Sequence, residues 1–197
     1  YNENDPSVFY ENINQSEHGL INGAIYYIND NLYNFSLHTY STADFAQIEA
    51  HETLNIDGID FSMEFWVNPS NYSQTTPFTK CYSHENNHCV AMHLDGGTMG
   101  FTFLSDDLYF DYNYQLNTWY HMAGTFDANT KERKLYINGD LVNSDYADAS
   151  LINTNNAPIL FGRRDFLPGN PSSGKLPFIG ELDNARLWNR VLSLDEI

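Results

Sequence analysis

Apolar and polar residues alternate with a period of two through much of this chain, the pattern of strands with one buried face. In segment 61–69, Phe61, Met63, Phe65 and Val67 share one side, while Ser62, Glu64 and Trp66 share the other. Pro69 ends the run. Segment 108–114 places Leu108, Phe110, Tyr112 and Tyr114 on one face, with Asp111 and Asn113 pointing away. Segment 119–126 collects Tyr120, Met122 and Phe126 on one side. In 134–142 two alternating runs meet at Asn138-Gly139, a dipeptide that suits the two φ > 0 positions of a type I′ hairpin turn. Segments 158–162 and 178–188 supply the last strands. Helical periodicity is nearly absent and no βαβ rhythm occurs, so the pattern predicts an all-β fold of two antiparallel sheets. One helix is expected to begin at the end of the chain, where Ser193 and Glu196 have capping-box spacing.

The longest polar interruption is 163–177, a Gly/Pro-rich loop of a length that is often functional within a compact domain. A wandering surface loop is the simpler reading. No internal repeat or linker breaks the chain, and 197 residues suit one large sandwich, so residues 1–197 are expected to form a single domain. The sequence opens at Tyr1 without a Met and stops inside the expected helix. It is therefore expected to be one module of a longer protein, with neighbouring modules among its partners.

Composition sharpens the picture. Aromatic residues make up 15% of the chain, 14 of them Tyr and 13 Phe, which gives ample core material and excludes a disordered chain. The net charge is −17. Such a surface repels phosphate backbones and anionic headgroups, which excludes nucleic acid as an expected partner. No apolar run is long enough to span a bilayer, so no membrane insertion is expected. Solubility alone would also account for the charge.

Cys81 and Cys89 flank the run Tyr-Ser-His-Glu-Asn-Asn-His. With His84 and His88 they could hold zinc, although the spacing is not that of a standard finger. The simpler reading is a disulfide across a hairpin, closing a short loop. Three acceptor sequons, at Asn14, Asn34 and Asn71, fit an extracellular setting as glycosylation sites.

The order of several short segments carries more information than any one of them. Asp44-Phe45-Ala46-Gln47-Ile48 precedes the strand at 61–69, and Trp119-Tyr120-His121 and Leu135-Tyr136-Ile137-Asn138-Gly139 follow it. The closing run is Gly180-Glu181-Leu182-Asp183-Asn184-Ala185-Arg186-Leu187-Trp188, then Leu192-Ser193. From Asp44 to the end this resembles the laminin-G-like jelly roll of the concanavalin-A-like family, with residues 1–43 left to supply the first strand or two. The resemblance implies a curved two-sheet jelly-roll sandwich and an extracellular module for carbohydrate or protein recognition and adhesion. It also implies a structural Ca²⁺, for which Asp183 matches the closing-motif acid and Asp44 lies in the segment that could approach it. A buried carboxylate that pairs with Arg186 or caps backbone N–H groups is the alternative role for that acid.

Fold does not name a function, so each site needs its own argument. Retaining glycoside hydrolases of this superfamily carry alternating acids on one strand, in a pair about 5–5.5 Å apart. Glu181 and Asp183 match the first two positions. Ala185 stands where the third is required, and Arg186 stands there in the variant spacing. The expectation is therefore a non-enzyme. Candidate ligand-binding residues are Trp66, on the strand face shared with Ser62 and Glu64, and Tyr109 and Tyr112, which point to opposite faces. Arg163, Arg164, Asp165 and Phe166, at the start of the long loop, complete the set. For Trp66 a core role is the alternative, and for the arginines a rim salt bridge to Asp165. The leading function is a non-catalytic module binding a glycan or an extracellular protein through rim loops. A structural domain of a surface fibre or virion appendage, and a glycoside hydrolase, are the alternatives.

Overall fold

A computed structural model describes residues 36–164 and 176–197 in full, together with the backbone of three earlier strands. Fifteen strands form two antiparallel sheets among the described residues. They are β1 (Val8–Tyr10), β2 (His18–Asn22), β3 (Ile25–Ile28), β4 (Ser36–Thr39), β5 (Phe45–Ile48), β6 (Phe61–Pro69), β7 (Thr75–Cys81) and β8 (Cys89–Asp95). Then come β9 (Thr98–Thr102), β10 (Asp107–Asp111), β11 (Tyr120–Phe126), β12 (Glu132–Ile137), β13 (Asp140–Tyr146), β14 (Ile159–Phe161) and β15 (Gly180–Trp188). The eight-stranded sheet runs β1-β2-β5-β14-β7-β8-β9-β10, and the seven-stranded sheet runs β13-β12-β11-β6-β15-β4-β3. Such non-consecutive neighbours are the mark of a jelly roll, in which the chain keeps crossing between sheets. Residues up to Thr39 hold four strands where the sequence pattern suggests one or two.

The core forms as the alternation predicts. Phe61, Met63, Phe65 and Val67 are fully buried on the inner face of β6, with Met122, Phe126, Leu135 and Ile137 beside them. Phe78, Met92, Leu94, Met99 and Phe101 come from the opposing sheet. Gly124 lets the sheets approach closely here, because a Cβ on it would lie 2.7 Å from the Phe101 ring. The β12–β13 turn has φ of 53° at Asn138 and 84° at Gly139, the left-handed pair expected of this dipeptide.

Three details go beyond the sequence reading or depart from it. The C-terminus forms a turn instead of a helix. Ser193 donates from its N–H and its Oγ–H to Glu196 Oε2, both at 2.9 Å, so the capping-box contact exists without a helix after it. Strand β7 reads as polar, Thr-Thr-Pro-Phe-Thr-Lys-Cys, yet it is buried throughout. Its Thr76 hydroxyl donates to the carbonyl of Leu176 and its Thr79 hydroxyl to that of Arg163, so chain segments cover this strand's outer face. Lys80 of the same strand points inward and donates to the Ala157 carbonyl at 2.6 Å. Burial pulls its ammonium down to about 8, against an opposing pull from Asp57.

Candidate functional site

The outer face of the seven-stranded sheet is the most chemically organised surface among the described residues. Cross-strand register lines up its side chains. Trp66 lies opposite His121 on one neighbour and Asp183 on the other, and Glu64 lies opposite Ala123 and Arg186. Ser62 lies opposite Trp188, and Asn68 opposite Glu181, which in turn faces His38 of β4.

Glu64 is the centre of this array. It is 3% exposed and accepts three hydrogen bonds. Trp188 Nε1 donates to Oε1 at 3.0 Å, Arg186 Nη1 to Oε1 at 3.2 Å, and His121 Nε2 contacts Oε2 at 3.2 Å. Burial alone would push the carboxyl up. The hydrogen bonds from His121, Trp188 and Arg186 outweigh it and hold Glu64 below the usual carboxylate range. Trp66 is half-buried, its ring 5.4 Å from that of His121. This corrects the core alternative for Trp66, because the side chain stands on the outward face.

The Glu64–Arg186 pair depends on a bulge. Register shifts between Asp183 and Arg186, where Asn184 takes φ of 48°. The extra residue puts Arg186 on the same face as Glu181 and Asp183. Arg186 therefore pairs with Glu64 and not with Asp183, and it occupies the position where a hydrolase of the variant spacing would carry its third acid. Asp183 Oδ1 accepts the Asn184 N–H at 2.6 Å. At the β4 side, Glu181 approaches His38 Nδ1 at 3.6 Å, and the Tyr40 ring stacks on His38 at 3.9 Å. Burial lowers the His38 imidazole, with Glu181 opposing.

The remaining candidates lie elsewhere. Tyr109 is exposed on the outer face of the eight-stranded sheet, beside His93 at 5.7 Å, and Arg164 is within electrostatic reach of both. Burial, with Asp107 close by, pushes the Tyr109 phenol up to about 12, and burial draws His93 down to about 4. Arg163 stacks on the Phe45 ring at 3.5 Å. Tyr112 turns inward against Tyr120, with ring centroids 5.6 Å apart. Asp165 and Phe166 lie outside the described residues, as do Asn14 and Asn34. Asn71 sits in the turn after β6 and accepts the Ser73 N–H at 3.1 Å.

Cys81 and Cys89 form the disulfide, across the β7–β8 pair in which they are partners. That removes the zinc reading, and His88 contacts Ser83 Oγ at 2.7 Å instead. The two acids matched to calcium belong to different sheets, Asp44 at the start of β5 and Asp183 on β15. Asp44 accepts the N–H groups of Tyr40 and Ser41 and the Ser41 hydroxyl, all at 2.9 Å. Among the described residues no group of three or more His, Cys, Asp or Glu side chains is gathered as a metal cluster.

The profile of the concanavalin A-like lectin/glucanases superfamily, in its laminin-G-like branch, matches residues 41–197. The chain belongs to this superfamily. Solved structures of the superfamily's fold cover nearly all of it. The binding domain of Paraclostridial Mosquitocidal Protein 1 matches with a TM-score of 0.72 at 16% identity, over 98% of this chain and 48% of that one. The binding domain of botulinum neurotoxin serotype D matches at 0.68 and 16%, over 91% and 45%. Domain 4 of AbnA, an extracellular arabinanase from Geobacillus stearothermophilus, was solved in complex with arabinotriose. It matches at 0.64 and 19%, over 90% and 85%. The chain thus spans about half of each toxin binding domain and most of the arabinanase domain. No curated protein matches it in sequence.

Proposed function

We propose that this domain is a non-catalytic extracellular recognition module that binds glycan on the outer face of its seven-stranded sheet. The observation that carries this reading is the Glu64–Arg186 pair standing between Trp66 and Trp188. Indole faces suit the apolar face of a sugar ring, and Arg186, Asp183 and Glu181 offer donors and acceptors to its hydroxyls.

Catalysis is disfavoured on the same ground. A retaining hydrolase needs one carboxyl kept protonated as an acid beside a second as nucleophile. Glu64 is held ionised by three donors, and a guanidinium stands where the third acid of the motif would be. Solved structures of the same fold include two toxin binding domains and an arabinanase domain in complex with arabinotriose, which supports a binding role. No helix among the described residues is long and apolar enough to cross a membrane.

A glycan array probed with the wild-type domain and with W66A tests the reading. Binding by the wild type that is lost in W66A, with no reducing ends released from the bound glycans, is the expected result. Absence of any glycan signal would overturn it and leave a protein-binding or fibre-assembly role ahead.

A further inference from the structure

Between Trp66 and the β4 edge of the outer face lies a group of polar atoms whose hydrogen bonding is incomplete. Ser36 Oγ, His38 Nδ1 and Asn68 Oδ1 are shielded from solvent without a hydrogen-bond partner among the described residues, His38 Nδ1 having only the Glu181 carboxylate at 3.6 Å. The whole of Ser36 is 1% exposed. Buried polar atoms in native proteins are nearly always paired, and one left alone is destabilising. Three such atoms around a single stretch of β4, β15 and β6 mark a place that a ligand's polar groups would complete. The register makes them neighbours, since His38 and Asn68 both lie opposite Glu181.

Aromatic rings bound this stretch on both sides. Trp66 stands on β6, and Tyr40, 49% exposed, extends from the end of β4 with its ring on His38. Strand β15 separates β6 from β4, and Trp66 and Tyr40 lie two residues to either side of the Asn68–Glu181–His38 row, so their backbone positions are two strand spacings apart across the sheet and four residues apart along it, ~16 Å. One sugar ring cannot lie on both. The charge along the strip is also uneven. Arg186 is already paired with Glu64, while Glu181 and Asp183 add two carboxylates on the same face of β15.

Resting on the glycan reading above, we propose that the ligand is a neutral oligosaccharide of at least two or three residues. It lies across β6, β15 and β4 from Trp66 to Tyr40. Its hydroxyls supply the partners that Ser36, His38 and Asn68 lack. A hydroxyl both donates and accepts, which is what this mixed set of an imidazole nitrogen, a hydroxyl and an amide oxygen requires. Uronic, sialylated or sulfated chains are rejected by Glu181 and Asp183, in a protein whose net charge is already −17.

Isothermal titration with neutral arabino-, xylo- and gluco-oligosaccharides of increasing length, alongside oligogalacturonides, sialyllactose and heparin fragments, tests this. Affinity should climb from the monosaccharide to the trisaccharide and then level off. W66A and Y40A should each weaken binding of the trisaccharide roughly tenfold. Y40F, which keeps the ring, should bind as the wild type does. Preference for anionic chains, or equal affinity for monosaccharide and trisaccharide, would overturn the inference while leaving a glycan-binding module in place. Absence of binding to every carbohydrate would overturn both.

Discussion

Arg186 meets Glu64 at 3.2 Å only because Asn184 adopts a left-handed backbone conformation two residues earlier. Without that bulge, strict alternation would turn Arg186 toward the opposite face and bring Ala185 to the outer one. The pair therefore belongs to the backbone as much as to the side chains.

Removing Glu64 should be costly and removing Arg186 cheap. E64A deletes the acceptor for His121, Trp188 and Arg186, and should lower unfolding stability by about 2–4 kcal/mol. Arg186 has a side chain 53% exposed, so R186A should lose less than about 1 kcal/mol. Urea unfolding followed by tryptophan fluorescence measures both. Equal losses would mean that His121 and Trp188 do not hold Glu64.

Lys80 should make the domain more stable as pH rises from about 8. Its folded value of about 8 lies below the 10.5 of an unfolded lysine. Across that window the unfolded chain binds more protons, and stability increases with pH. The gain is complete only above the unfolded value and is lost as pH falls through the folded one. Unfolding midpoints of wild type and K80M between those limits should diverge, with the slope present only in the wild type. Parallel profiles would show that the lysine is not desolvated.

Reduction of Cys81–Cys89 should destabilise the domain without unfolding it. The bridge closes a loop with a sequence separation of 8, for which chain entropy predicts about 2–3 kcal/mol. The lost stability should appear as a lower melting temperature in reductant, with unchanged far-ultraviolet dichroism at room temperature. A reduced chain that melts like the oxidised one would refute this.

Arg133 should be among the most sensitive positions. Its side chain is 1% exposed, bonds Asp106 at 2.8 Å and Asp145 at 2.7 Å, and lies 4.9 Å from the centre of the Phe103 ring. R133M leaves two carboxylates without their cation and should lose about 3–5 kcal/mol. R133K should fall between, because an ammonium cannot match the fork of a guanidinium. Chemical denaturation of the three proteins gives the order, and a lysine variant as weak as the methionine one would show that charge contributes nothing.

Residues differ in how much of their role is legible in the amino-acid sequence. The inner face of β6 is legible because its alternation is unbroken and its outer residues are polar or amphipathic. Strand β7 is not, since its threonines satisfy backbone carbonyls and composition alone does not reveal that pairing. Period two assigns Trp66 a face. It does not assign the partners of Glu64, because His121, Arg186 and Trp188 reach that carboxylate through strand register, which is a long-range property, and through one bulge at Asn184. Lys80 and Arg133 are buried cations that alternation does not mark, and only their neighbours Asp57, Asp106 and Asp145 explain why they are inside.

The two sheets end side by side at β10 and β13. Asn143 Nδ2 donates to the Tyr109 carbonyl of β10 at 2.6 Å, and Asp106 accepts the Asp148 N–H at 2.9 Å. The Tyr109 carbonyl, a ladder position that could otherwise recruit a foreign strand, is thus engaged within the molecule. Copies held close together, on one surface or in series along one polypeptide, do not zip to each other along this side.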